Sequence, residues 1–83
     1  MFKLIFSTLA ANKLRKIPWK QQEQIEKALD ELRENPSIEY PLAREHIGKC
    51  RIRVGVYRVI YKINFKDKIV TLLNIDHRAT IYN

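Results

Sequence analysis

One cysteine, two glycines and three prolines are all that this sequence of 83 residues holds of the residues that staple or break a chain. The lone thiol, Cys50, can form no intramolecular disulfide and cannot by itself build a cysteine zinc site, so a disulfide-held secreted scaffold is excluded and a reducing, cytoplasmic setting fits. Few glycines and prolines beside 46% apolar residues argue for a folded chain rather than a disordered one. Long apolar runs are missing as well: none approaches the roughly 18 residues that a membrane-spanning helix needs. The opening stretch MFKLIFSTLAANK looks at first like a secretory signal. Ser7 and Thr8 interrupt its apolar run near the minimum length of such a signal, and a first β-strand accounts for it better.

Acidic residues are the other shortage. Nine Asp and Glu against sixteen Lys and Arg leave a formal net charge of +7. A surplus of that size on so small a surface predicts a polyanionic partner, and nucleic acid, an acidic protein or an anionic membrane surface all satisfy it. A chain this short buries only about 60% of the surface that its unfolded form exposes, so one thin core in a single domain over residues 1–83 is expected, built of two layers.

Residues 2–7 have the aromatic and β-branched content of a short strand, and Ser7 or Thr8 then offers an oxygen to cap a helix. Leu9, Leu14 and Ile17 give that first helix a partial apolar stripe. Pro18 ends it and suits the opening turn of a second helix, where its missing N–H costs nothing. The second helix, about residues 19–35, has the clearest period: Ile25, Ala28, Leu29 and Leu32 fall at i, i+3, i+4 and i+7. Asn35 and Pro36 stop it, and residues 35–49, with two prolines and no sustained period, read as a loop in which Glu45 and His46 belong to solvated surface. Three strands follow at about 49–54, 57–65 and 68–76, joined at Gly55-Val56, which suits a type II′ turn, and at Lys66-Asp67. The expected fold is α+β, a βααβββ chain whose two helices pack on a mainly antiparallel four-stranded sheet.

If Gly55 and Val56 are the turn, then Val54 faces Tyr57, Arg53 faces Arg58 and Ile52 faces Val59. Ile52, Val54, Tyr57, Val59, Tyr61 and Ile63 then share the face that packs on the helices, and Arg51, Arg53 and Arg58 share the other. A two-residue loop at Lys66-Asp67 would set Arg58 against Ile75 and carry His77 to the arginine face, with Arg78 next along the chain. Solvent-facing arginines are ordinary on a half-buried strand. Like charges directly opposite one another are nonetheless unfavourable by a few tenths to about 1 kcal/mol, and an anion between them removes the conflict. Phosphate fits, because a guanidinium donates two parallel hydrogen bonds and stays charged.

The stretches RIRVGVYRVIYKI and IDHRATIY resemble the RelE/ParE superfamily of toxins, and its RelE-like branch in particular. Members share the βααβββ order, an R-x-R-x-G-x-Y-R-x-x-Y hairpin, here Arg51, Arg53, Gly55, Tyr57, Arg58 and Tyr61, and an H-R-x-x-x-Y ending, here His77, Arg78 and Tyr82. The likeness covers essentially the whole chain. Departures are Cys50 where an aromatic is common, Val56 where a turn Asp or Asn is frequent, and Asp76 where Gly usually precedes the His-Arg pair.

The resemblance implies the toxin of a type II toxin-antitoxin system, a ribosome-dependent endoribonuclease that cleaves messenger RNA by attack of the 2′-hydroxyl, without metal or other cofactor. By position it puts Arg51 and Arg53 on the RNA backbone, Arg58 and Arg78 on the phosphorane and Tyr82 in catalysis; Lys49 and Lys62 of the same hairpin are further candidates for the backbone, and His77 is a catalytic candidate by its chemistry. Arginine cannot act as a general base, so where relatives carry lysine the proton must go to His77 or Tyr82. Histidine is the side chain suited to proton transfer near neutral pH, and a tyrosine does the same where surrounding positive charge favours its ionised form. The implied partners are the ribosome and messenger, an acidic cognate antitoxin for which Tyr40, Pro41, Leu42 and the helix pair offer apolar contact, and DNA only indirectly through the antitoxin complex, with no membrane. Two alternatives share the fold or the charge: a ParE-like inhibitor of DNA gyrase, against which the HRATIY ending weighs, and an inactive RNA-binding homologue.

Overall fold

Two apolar periods, one of two residues and one of 3.6, build the domain. The computed structural model describes residues 1–36 and 49–77. Its elements run β1 (Lys3–Phe6), α1 (Thr8–Lys16), α2 (Trp19–Glu34), β2 (Lys49–Val54), β3 (Tyr57–Asn64) and β4 (Ile69–His77). The sheet order is β1-β4-β3-β2, with β1 parallel to β4 and the other pairs antiparallel, so the α+β expectation of two helices on a four-stranded sheet holds. Most of the 35–49 loop, with Tyr40, Pro41, Leu42, Glu45 and His46, lies outside the described residues, as do Arg78 and Tyr82.

Both helices face one core. Ile25, Leu29 and Leu32 of α2 are buried against Ile52, Val59, Tyr61, Val70, Leu72 and Ile75 of the sheet, with Ala28 at the margin. On α1 the stripe is Ala10, Leu14 and Ile17, an i, i+4, i+7 series. Leu9, expected inward, is 50% exposed, because the helix approaches the sheet through the small side chain of Ala10. The helices are tied end to end: the Gln22 amide donates to the carbonyl of Leu14 at 2.9 Å, which also accepts the capping Ile17 N–H at 3.2 Å, and to that of Ile17 at 2.8 Å. Pro18 stands just before the first turn of α2, and its carbonyl accepts the first helical bond from Gln22 at 2.9 Å. Tyr61, fully buried, donates its hydroxyl to the Pro36 carbonyl at 2.9 Å and so pins β3 to the end of α2.

The β2–β3 hairpin has the expected register. Gly55 takes φ +59 and Val56 does not follow it to positive φ, which is the type II′ pattern. The β3–β4 connection differs from the two-residue loop expected at Lys66-Asp67: Asn64 pairs with Ile69, leaving four residues in the turn. Asn64 and Asp67 close it with two 3.0 Å hydrogen bonds, and Lys68 takes the left-handed φ of 55. Further along, the pairing slips by one residue. Tyr61 faces Leu72 but Ile60 faces Asn74, so Leu73 is an extra residue in β4, a β-bulge.

Candidate nucleic-acid interface

The hairpin register lines up a basic face on the side of the sheet away from the core. Lys49 pairs with Lys62, Arg51 with Ile60 and Arg53 with Arg58, and residues directly opposite share a face with Cβ atoms about 4.5–5.5 Å apart. Five cationic side chains of β2 and β3 therefore share one side, while Ile52, Val59 and Tyr61 on the other side enter the core. Because β2 is an edge strand, Arg51 and Arg53 also place charge along a border where another strand would otherwise pair.

These cations differ in exposure. Arg51, Arg53 and Lys62 are exposed and Lys49 is partly so, whereas Arg58 is only 5% exposed. The three arginines share the expected face, and on it Arg58 is the buried one. It stands on β3, between β4 and β2 in the sheet.

The bulge at Leu73 changes what Arg58 meets on its other side. Arg58 faces Asp76, not Ile75, and Ile75 turns into the core opposite Val59. Asp76 accepts a salt bridge from Lys13 of α1 through Oδ1, and its Oδ2 accepts from the Asn74 amide at 2.7 Å. Asn74 in turn accepts from the Ile75 N–H at 2.9 Å. An acid inside the basic face, with its own lysine, is the functional feature that reading the residues alone missed.

His77 is displaced by the same slip. It pairs with Tyr57, so it belongs to the Tyr57 face and not to the arginine face where alternation from a plain hairpin would have carried it. Its exposed ring stands edge-on to Tyr57. Of the proposed catalytic set the described residues bring Arg58 into the basic face, place His77 across the sheet from it, and do not include Arg78 and Tyr82.

Cys50 pairs with Tyr61 and packs at the margin of the core, and burial pushes its thiol above the ordinary range. Among the described residues no helix is long and apolar enough to cross a membrane.

A row of fixed positive charges along a sheet face can bind a polyanion backbone and stabilise charge developing on a phosphate. Comparison with known proteins finds similarity to small toxins. The family model described as the ParE toxin of type II toxin-antitoxin systems, parDE, matches residues 4–82. The Toxin RelG of Mycobacterium tuberculosis is 37% identical over 79 residues, 93% of this chain and 91% of the relative. A chain in the crystal structure of the RelBE2 toxin-antitoxin complex of the same organism superposes with a TM-score of 0.83 at 33% identity, over 93% of this chain and 98% of that one. The isolated RelE toxin of E. coli gives a TM-score of 0.83 at 26% identity, over 99% and 92%.

Proposed function

This chain belongs to the ParE toxin family within the RelE/ParE superfamily of type II toxin-antitoxin systems, and from that premise we propose that it is a ribosome-dependent endoribonuclease acting on messenger RNA. The observation that carries the reading is the Arg53–Arg58 pair, two like charges held opposite each other on a face with Lys49, Arg51 and Lys62. A phosphodiester seated on this row makes charge-assisted hydrogen bonds to the guanidiniums.

In the proposed reaction the 2′-oxygen forms a bond to phosphorus and the bond from phosphorus to the 5′-oxygen breaks. The 2′-hydroxyl proton leaves to a base and another is delivered to the departing 5′-oxygen, giving a 2′,3′-cyclic phosphate and a free 5′-hydroxyl. Arg58 and Arg78 stabilise the charge of the phosphorane, each by about 10²–10³ in rate, and Arg51, Arg53, Lys49 and Lys62 hold the strand. Tyr82 is the proton-transfer group of the proposal, since His77 lies on the other side of β4 from Arg58. The net charge of +7 calls for an acidic antitoxin that covers the same face.

Purified protein added to messenger-programmed ribosomes, with cleavage mapped by primer extension, tests this. Wild type should cut, and Arg58→Ala and Arg78→Ala should not. Normal cleavage by both variants overturns the assignment. The ParE-like alternative, favoured by the family model that matches, is read in parallel: inhibition of gyrase supercoiling without RNA cleavage would replace the nuclease reading.

A further inference from the structure

Ser7 fastens α1 to the place where β4 slips. Its hydroxyl accepts from the Ala10 N–H at 3.0 Å as the helix cap, and donates to the carbonyl of the bulge residue Leu73 at 2.8 Å. Its own N–H donates to the Leu72 carbonyl at 2.9 Å. The first turn of α1 is thereby anchored on the two residues across which the register shifts. Six residues on, Lys13 reaches Asp76, which that same shift has brought onto the rung of Arg53 and Arg58.

A carboxylate on this rung works against RNA binding in two ways. It repels a phosphate, and it offers a guanidinium the same kind of oxygen acceptor that the phosphate does. Here one carboxylate oxygen accepts from Lys13 and the other from Asn74, and the two side chains of the ion pair are 36% and 18% exposed. Among the described residues the rung carries three cations against one anion with Lys13 included, and two against one without it. We infer that Lys13 is a positioning residue of the RNA site: it neutralises Asp76 and, with Asn74, holds that carboxylate so that the Arg53–Arg58 rung presents its positive charge to a phosphate. This deepens the RNA-cleaving reading and takes its substrate from it.

The test is a double-mutant cycle with Lys13→Ala, Asp76→Asn and the two combined, plus Lys13→Arg. Cleavage on programmed ribosomes and affinity for a short single-stranded RNA are both measured, with circular dichroism at the assay temperature confirming the fold. Lys13→Ala should lose on the order of tenfold in both readouts, the size expected when a partly exposed ion pair is redirected. Lys13→Arg should match wild type. Asp76→Asn should bind RNA at least as tightly as wild type, and adding it to Lys13→Ala should bring both readouts to within about twofold of Asp76→Asn alone.

An unaffected Lys13→Ala overturns the inference. So does a double variant as weak as Lys13→Ala, which would make Lys13 a direct RNA contact, and so does an Asp76→Asn protein that binds RNA more weakly. If wild type cuts nothing on ribosomes, the nuclease reading falls, while the affinity cycle still decides the role of Lys13.

Discussion

The imidazole of His77 stands edge-on to the ring of Tyr57, with centroids 5.5 Å apart and planes at 84°. This is a favoured aromatic geometry, worth about 0.5–1.5 kcal/mol beyond the area it buries. It follows from the pairing of His77 with Tyr57, which leaves Arg58 and Asp76 on the opposite side. The expected outcome is that His77→Gln lowers messenger cleavage by less than about tenfold, while Arg58→Ala lowers it by about 10²–10³. Equal losses in a primer-extension time course would return the imidazole to the reacting phosphate.

Arg51 and Arg53 lie exposed on the edge strand, and the proposed function makes them contacts to the RNA backbone. Each replaced by alanine should weaken binding of single-stranded RNA about equally for all sequences and reduce the slope of log affinity against log salt by about 0.7. A fluorescence titration at several salt concentrations reads this directly, and a slope that does not change removes that residue from the interface.

Ser7→Ala deletes a helix cap and the tie to Leu73 in one step. The cap is worth about 1 kcal/mol and the second hydrogen bond a similar amount, so the melting temperature should fall by roughly 8–16 °C. Ser7→Thr, which keeps the oxygen, should recover most of it.

Tyr61→Phe keeps the buried ring and removes only the hydroxyl that meets the Pro36 carbonyl. A carbonyl left without its partner in the interior costs about 1–3 kcal/mol. Denaturant unfolding should show that loss as a lower midpoint at unchanged slope.

Burial raises the thiol of Cys50, which holds it protonated and unreactive at neutral pH. Alkylation by iodoacetamide should therefore accelerate at a higher pH than for a free thiol. The sign for stability follows: the contribution is complete below the ordinary thiol range and is lost as pH rises through the raised value, because the unfolded chain ionises first. Cys50→Ala should flatten the alkaline decline in melting temperature. A Cys50 alkylated like a free thiol would contradict the burial.

Much of this was legible in the residues. Ile25, Leu29 and Leu32 recur at helix spacing and can only point one way, and Gly55 leaves the first hairpin a single register, which is why Arg53 opposite Arg58 could be read from the chain. The second hairpin could not be read by the same rule, because an extra residue interrupts it far from its turn. A signal was present in VTLLNID: uniform alternation from Val70 and Leu72 would bury Asn74 and expose Ile75, a polar-for-apolar exchange that marks a slip. Leu9 was favoured over Ala10 because hydrophobicity says nothing about how closely a helix approaches a sheet. The Lys13–Asp76 pair joins positions 63 residues apart, and no local pattern encodes it.

The bulge at Leu73 also bears on how this chain should be aligned with its relatives. A sequence lacking that one residue can keep an unbroken ladder and still set its equivalents of Asp76 and Arg58 side by side, provided the gap is placed between Leu72 and Asn74. A gap placed closer to the end of β4 exchanges inner for outer positions over the residues between. Conservation scored in such columns would then compare core side chains with those on the outer face.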